Sequence, residues 1–170
     1  MRKPTTSLSE QDALKRMAAF CSQSEHCRSE IEEKLQRLEL PDEAIERILQ
    51  RLEEEQFIDE ARYCRAFVND KLRFSGWGKR KMAQALQQKH ISRLVYQPAI
   101  DAIDPQAYKA ALRKALEQKE RSMKPEITGY QRKVKLLHYG ESRGYSFEEL
   151  RQFIDLSSTE EPGFEEDLYS

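Results

Sequence analysis

Shifting the chain against itself by 51 residues superimposes Ile31 on Met82, Leu35 on Leu86, Leu40 on Ile91, Ala44 on Val95, Leu49 on Ile100 and Leu52 on Ile103. Six apolar matches at one offset, across a helix pair and its connection, exceed what helical periodicity alone supplies. A further shift of 54 residues pairs Met82 with Leu136, Ile91 with Tyr145, Ser92 with Ser146 and Ile100 with Ile154. A repeat of this length holds about three helices and stacks on its neighbours to bury an apolar face it cannot cover alone. The expected fold class is therefore all-α, with about three tandem three-helix repeats stacked into an elongated, curved array. An ordinary single-core helical bundle is the competing arrangement. The expected divisions are an N-terminal tail over 1–8, repeats over 9–58, 59–104 and 105–156, and a disordered acidic tail over 157–170.

Local markers agree with helices throughout, and no alternating strand pattern competes. Charged residues make up 35% of the chain, above the usual ~25%, which suits narrow apolar stripes backed by broad solvated faces. Ser9 can cap a helix with the stripe Ala13, Leu14, Met17, Ala18 and Cys21. Pro41 stands where a first helical residue should be, Asp59 can cap the fourth helix, and Asp104–Pro105 reads as cap plus first residue. Ser146 and Glu149 form a capping box. The last two helices are expected over about Gln131–Arg143 and Phe147–Leu156. Ser75–Gly76–Trp77–Gly78 breaks the pattern, and Pro98 should kink or restart the sixth helix.

The net charge of −1 hides an asymmetry. Residues 1–61 hold 9 basic and 15 acidic side chains, 62–146 hold 19 and 7, and 147–170 hold 1 and 8. The chain thus has an acidic head, a basic body of net charge +12 and an acidic tail. A basic body attracts phosphate or an acidic protein surface.

The cysteines are Cys21, Cys27 and Cys64, with no C-x-x-C pair, and Met1 to Ser9 lacks an apolar signal region. A reducing cytoplasm is the expected compartment. No run approaches the ~18 apolar residues that a membrane helix needs. Cys21, His26 and Cys27 do not complete a zinc site with Cys64, His90 or His138, which lack paired spacing. No phosphate-cradling G-x-x-x-x-G-K-[ST] loop exists, and Glu53–Glu54–Glu55 reads as solvated charge. No catalytic residue, metal site or cofactor is expected; the chain is not expected to be an enzyme.

The segments Arg28-Ser-Glu-Ile-Glu-Glu-Lys-Leu35, Phe57-Ile-Asp-Glu-Ala-Arg-Tyr63, Gly76-Trp-Gly-Lys-Arg-Lys81 and Arg143-Gly-Tyr-Ser146 resemble, in that order, the RecX family of bacterial regulators of the recombinase RecA. The likeness runs from about Leu14 to Ile154. It implies tandem three-helix repeats, binding in the groove of a RecA–DNA filament, and inhibition of recombinase, ATPase and coprotease activity in recombination, repair and the SOS response. Two departures stand out. Cys27 occupies a capping position usually held by a hydroxyl, so the second helix is expected to start slightly elsewhere. Gly140 replaces a large apolar residue, which should make the third repeat the loosest.

The candidate contact residues are basic. With Met82 and Leu86 inward, Arg80, Gln84, Gln87 and Gln88 form an outward stripe with Lys81 beside it. Arg132, Lys133 and Lys135 are their third-repeat counterparts, and Arg62, Arg65, Lys71, Arg73 and Lys89 extend the set. Trp77, followed by Lys79, Arg80 and Lys81, is either an interface anchor or a ring folded back over a helix junction. The expected partner is the RecA nucleoprotein filament, with direct contact to single- or double-stranded DNA included. No membrane contact is expected, and a monomer is. A sequence-independent DNA-binding protein without a RecA-specific role is the alternative.

Overall fold

The computed structural model describes residues 8–155, and among them helices follow one another with no strand. They are α1 (Glu10–Gln23), α2 (Arg28–Gln36), α3 (Asp42–Glu54), α4 (Glu60–Asp70), a π-helical turn (Lys71–Ser75), α5 (Lys79–Gln88), α6 (Arg93–Asp101), α7 (Pro105–Ser122), α8 (Gly129–Ser142) and the short α9 (Phe147–Leu150). The expected acidic tail over 157–170, and all of the expected N-terminal tail except Leu8, lie outside the described residues.

The repeat spacing governs the backbone as well as the side chains. Glu39, His90 and Gly144, which are 51 and then 54 residues apart, all close a repeat's second helix in the left-handed region, at φ 57, 61 and 94°. Two residues further on, Pro41, Ser92 and Ser146 precede α3, α6 and α9. Between them, Ile91 and Tyr145 are buried and Leu40 is partly buried. The left-handed residue turns the chain so that the next apolar side chain points inward.

Helix starts follow their caps. Ser9 Oγ accepts the Asp12 N–H at 3.1 Å, Asp59 Oδ1 that of Arg62 at 3.0 Å, and Asp104 Oδ2 that of Ala107 at 2.9 Å. The Ser146–Glu149 capping box forms as expected, and a second box, Thr128 with Gln131, starts α8 two residues before the expected Gln131. Cys27 makes no side-chain cap, yet α2 begins directly after it. Its side chain is wholly buried, so the thiol anchors the turn by packing.

Two compact units result: residues 8–70 with Ala83–Ile103, and Lys71–Met82 with residues 104–155. In the first, Ala13, Met17, Ile31, Leu35, Ile48, Leu49 and Leu52 form one core under α1–α3. In the same unit Tyr63, Cys64 and Val68 of α4 pack toward Tyr96, Ala99 and Ile100 of α6. In the second, Tyr108, Leu112, Ala115 and Leu116 of α7 are buried together with Leu136, Tyr145, Leu150 and Ile154.

Four local expectations need correction. Pro41 caps α3 and does not open it; its carbonyl accepts the N–H groups of Ala44 and Ile45 at 3.0 and 3.1 Å. Pro98 does not restart α6, which runs through it. The single bond it removes is to the Leu94 carbonyl, and both residues face solvent, where water can serve that oxygen. Regular α9 ends at Leu150 rather than Leu156, and in the turn that follows the Phe153 N–H makes a tighter, 3₁₀-type bond to the Leu150 carbonyl at 3.0 Å. Gly140 is not a loose spot: it is buried, and a Cβ there would stand 2.9 Å from Leu150 Cδ1 and closer still to Cδ2. Leu150, itself fully buried, fills the volume that a larger residue would claim.

Alanine in a helix interior normally gains up to ~1 kcal/mol over glycine, whereas overpacking costs about 1–3 kcal/mol. Gly140→Ala is therefore expected to lower stability in urea denaturation, and Leu150→Ala to make the same change favourable. A gain from Gly140→Ala alone would restore the loose-repeat reading.

Candidate functional site

Two of the family-resembling segments meet in the second unit. The Gly78 N–H donates to the Arg143 carbonyl at 2.7 Å and the Arg80 N–H to the Gly144 carbonyl at 3.1 Å. The Tyr145 hydroxyl donates to the Gly76 carbonyl at 2.9 Å, and Arg143 Nη1 to the Ser75 carbonyl at 3.3 Å. This approach leaves no room for side chains. A Cβ on Gly78 would lie 2.6 Å from the Tyr145 nitrogen, and one on Gly144 2.5 Å from that of Lys81. Both obstacles are backbone, which cannot move aside.

The contact also explains how α5 begins without a capping side chain. The first N–H groups of a helix have no internal partner. Here the Lys79 N–H is taken by the Tyr108 hydroxyl at 3.0 Å, and that of Arg80 by Gly144. The Tyr108 hydroxyl in turn donates a hydrogen bond to Glu149 Oε2 at 3.1 Å, the carboxylate of the α9 capping box. Burial, followed by the Glu149 charge, pushes the Tyr108 hydroxyl well above its ordinary value, despite the Lys79 amide. It stays a protonated donor.

The aromatic and basic groups are mounted on this junction. Trp77 is half-buried, and the Nζ atoms of Lys71 and Lys81 each lie 4.6 Å from its ring centroid. The ring is thus partly covered and flanked by two ammonium groups. Lys79 Nζ is 4.9 Å from the Tyr108 ring, and Arg73 is 5.3 Å from the exposed Phe74. Arg80 is exposed. On α8, Arg132 donates to the Lys124 carbonyl at 3.2 Å, Lys133 is half-buried and Lys135 is exposed. Sequence reasoning missed Tyr139, which carries Arg143 at 5.2 Å and Lys119 at 5.4 Å. The four-residue spacing of Tyr139 and Arg143 was the available signal. Cations over aromatic rings keep their charge and contribute roughly 0.5–2 kcal/mol each.

The remaining candidates belong to the first unit, where carboxylates engage two of them. Arg62 Nε donates to Glu25 at 2.5 Å and its Nη2 to the Gln56 carbonyl at 2.9 Å; Arg65 is exposed. Lys89 donates to Glu30 at 2.7 Å. Glu30, on α2, also accepts the Tyr63 hydroxyl at 3.0 Å, and its Oε2 meets His26 Nδ1 at 2.9 Å. An ionised carboxylate only accepts, so the His26 proton sits on Nδ1. Burial alone would raise the Glu30 carboxyl, but hydrogen bonds from Lys89, His26 and Tyr63, with the Lys89 charge, hold it below its ordinary 4.5.

Among the described residues, no group of three or more His, Cys, Asp or Glu is placed to hold a metal, and no helix is long and apolar enough to cross a membrane. Burial, then the Glu25 charge, pushes the Cys21 thiol up to about 11; burial and Glu60 do the same to Cys64. Both are poor nucleophiles at neutral pH.

Fold and site together define a protein of tandem three-helix repeats whose outward chemistry is cationic and aromatic. Residues 13–52 match the family model of the first three-helix domain of RecX, and residues 59–99 that of the second. The chain is 31% identical over 147 residues to the regulatory protein RecX of Prosthecochloris aestuarii, covering 84% of this chain and 91% of that protein. It is 24% identical over 164 residues to that of Thermobifida fusca, covering 92% and 89%. A crystal structure of regulatory protein RecX superimposes with a TM-score of 0.75 at 24% identity, over 85% of this chain and 70% of that one. RecX from Lactobacillus salivarius gives 0.71 at 16%, over 84% and 92%. The chain belongs to the RecX family.

Two outcomes follow from this geometry. Gly78→Ala should destabilise the second unit by about 2 kcal/mol or more, because the strain falls on backbone; chemical denaturation followed by Trp77 emission measures it. Glu30→Gln should cost on the order of 1–2 kcal/mol at pH 7. Because the folded carboxyl titrates below the unfolded one, this contribution is present above about pH 4.5 and disappears as pH falls through the folded value. A loss that persists unchanged at acid pH would assign Glu30 no electrostatic role.

Proposed function

We propose that this protein binds the RecA–DNA filament and inhibits RecA recombinase, ATPase and coprotease activity, so modulating recombination, DNA repair and the SOS response. One observation carries the reading beyond family membership. Residues 71–100 contain seven Lys or Arg and no Asp or Glu, and the part of this stretch in the second unit is mounted on the junction built by the family-resembling motifs. Lys71, Arg73, Trp77, Lys79, Arg80 and Lys81, with Arg132, Lys133 and Lys135, supply cations that meet phosphates and the acidic groups of a protein partner without reading base sequence. Arg65, in the first unit, is exposed. The charges of Arg62 and Lys89 are already met by Glu25 and Glu30, and these two serve the fold first.

In this mechanism no bond is made or broken. The protein acts by occupancy, as a monomer in the cytoplasm without a cofactor, neutralising nearby phosphate and blocking filament growth and access to the groove. The acid-free stretch also favours a second reading, sequence-independent binding of naked DNA. In that case affinity for DNA equals that for the filament and falls steeply with salt.

Inhibition of RecA ATPase or strand exchange is expected at substoichiometric amounts, with tighter co-sedimentation on RecA filaments than on DNA alone. The combined charge reversal Arg80→Glu, Lys81→Glu, Lys133→Glu and Lys135→Glu should weaken filament binding by at least about tenfold and flatten its salt dependence. No inhibition by the native chain at a stoichiometric ratio in low salt would reject the proposal. Equal affinity for filament and naked DNA would leave the second reading.

A further inference from the structure

Phe74 is the most exposed aromatic ring among the described residues, with 74% of its surface open to solvent. Its position is held firmly. It lies in the π-helical turn, a rare conformation that is frequent at functional sites. The turn closes where the Trp77 N–H returns to the Lys71 carbonyl at 3.1 Å, and Arg143 and Tyr145 hold the carbonyls of Ser75 and Gly76. A flat ring open to solvent within a stretch of cations can receive the face of a flat ligand.

The surrounding charge specifies that ligand's chemistry. Lys71–Met82 contains five cations and no carboxylate. Arg73 approaches the Phe74 ring, and Lys71 and Lys81 lie over Trp77. A flat ring among cations matches a ligand that alternates a π-face with a phosphate. Duplex DNA shows its phosphates but keeps its base faces stacked inside, whereas a single strand offers both.

We propose that Phe74 is a stacking platform for an unpaired base of single-stranded DNA, with Arg73, Lys79, Arg80 and Lys81 receiving the flanking phosphates. The inference rests on the reading that this basic surface meets a DNA-containing filament, and it names what part of the DNA is touched. It requires no RecA, so it can fail or hold independently of that reading.

The test is fluorescence anisotropy of the full chain with a dye-labelled oligo-dT, a strand of equal length built from abasic nucleotides, and a blunt duplex. Phe74→Ala should weaken oligo-dT binding by roughly 5- to 150-fold, the range for losing one stacked base, and leave the abasic strand and the duplex unchanged. Phe74→Tyr should restore the affinity; Phe74→Leu, equally apolar but without a π-face, should not. Unchanged circular dichroism and melting of each variant confirm that the exposed ring does not support the fold. The proposal is overturned if Phe74→Ala leaves oligo-dT binding intact, if it weakens the abasic strand by the same factor, or if leucine substitutes fully. A Phe74→Ala defect seen only with RecA free of DNA would assign the ring to a protein contact and also overturn it. Native inhibition of RecA without any base-dependent loss would sink the stacking role while leaving the filament reading standing.

Discussion

The second unit depends on two stretches of main chain lying closer together than any side chain would allow. Gly78 and Gly144 contribute only hydrogen at the crossing, and carbonyl–amide bonds of 2.7 and 3.1 Å join their neighbourhoods. Everything outward of the crossing takes its place from it. The first α5 amides receive their partners there, and the carbonyls of Ser75 and Gly76 are held by Arg143 and Tyr145. The placement of these basic residues and the stability of the unit thus share one contact, and a side chain at either glycine strains both.

The two units treat charge differently. In the first, guanidinium and ammonium groups meet carboxylates: Arg28 with Glu46 and Glu53, Arg47 with Glu10, Arg62 with Glu25, Lys89 with Glu30. In the second, many cations lie over aromatic rings, which attract them without cancelling them. The acidic head and basic body of the sequence acquire a physical meaning from this contrast. Carboxylates of the head meet the cations of the first unit and leave it net negative, while the second unit stays net positive.

Much of the fold could be read from the sequence, because its period is written in residues that obey local rules. Apolar positions, caps at Ser9, Asp59, Asp104 and Ser146, and the 51- and 54-residue offsets all reappear, the last as left-handed residues at Glu39, His90 and Gly144. What stayed hidden depended on partners distant in sequence. Gly140 looked like a defect until Leu150 was seen to occupy its volume. Lys89 looked like a free cation until Glu30, 59 residues away, was found beside it. The candidate site was legible as composition, a run of cations around one Trp. The two glycines around it have different reasons: Gly76 takes the left-handed backbone, at φ 60°, whereas Gly78 makes room for a neighbouring backbone.

Trp77 is the single tryptophan of the chain, half-buried and accompanied by two ammonium groups at 4.6 Å. The one indole of the chain, distinct from the seven tyrosines, thus stands among the cations of the second unit. Indole emission responds to solvent polarity and to nearby charge, so the tryptophan component of the spectrum reports on this locus. Any molecule that draws Lys71 or Lys81 away from the ring, or excludes water from it, changes that component without a label.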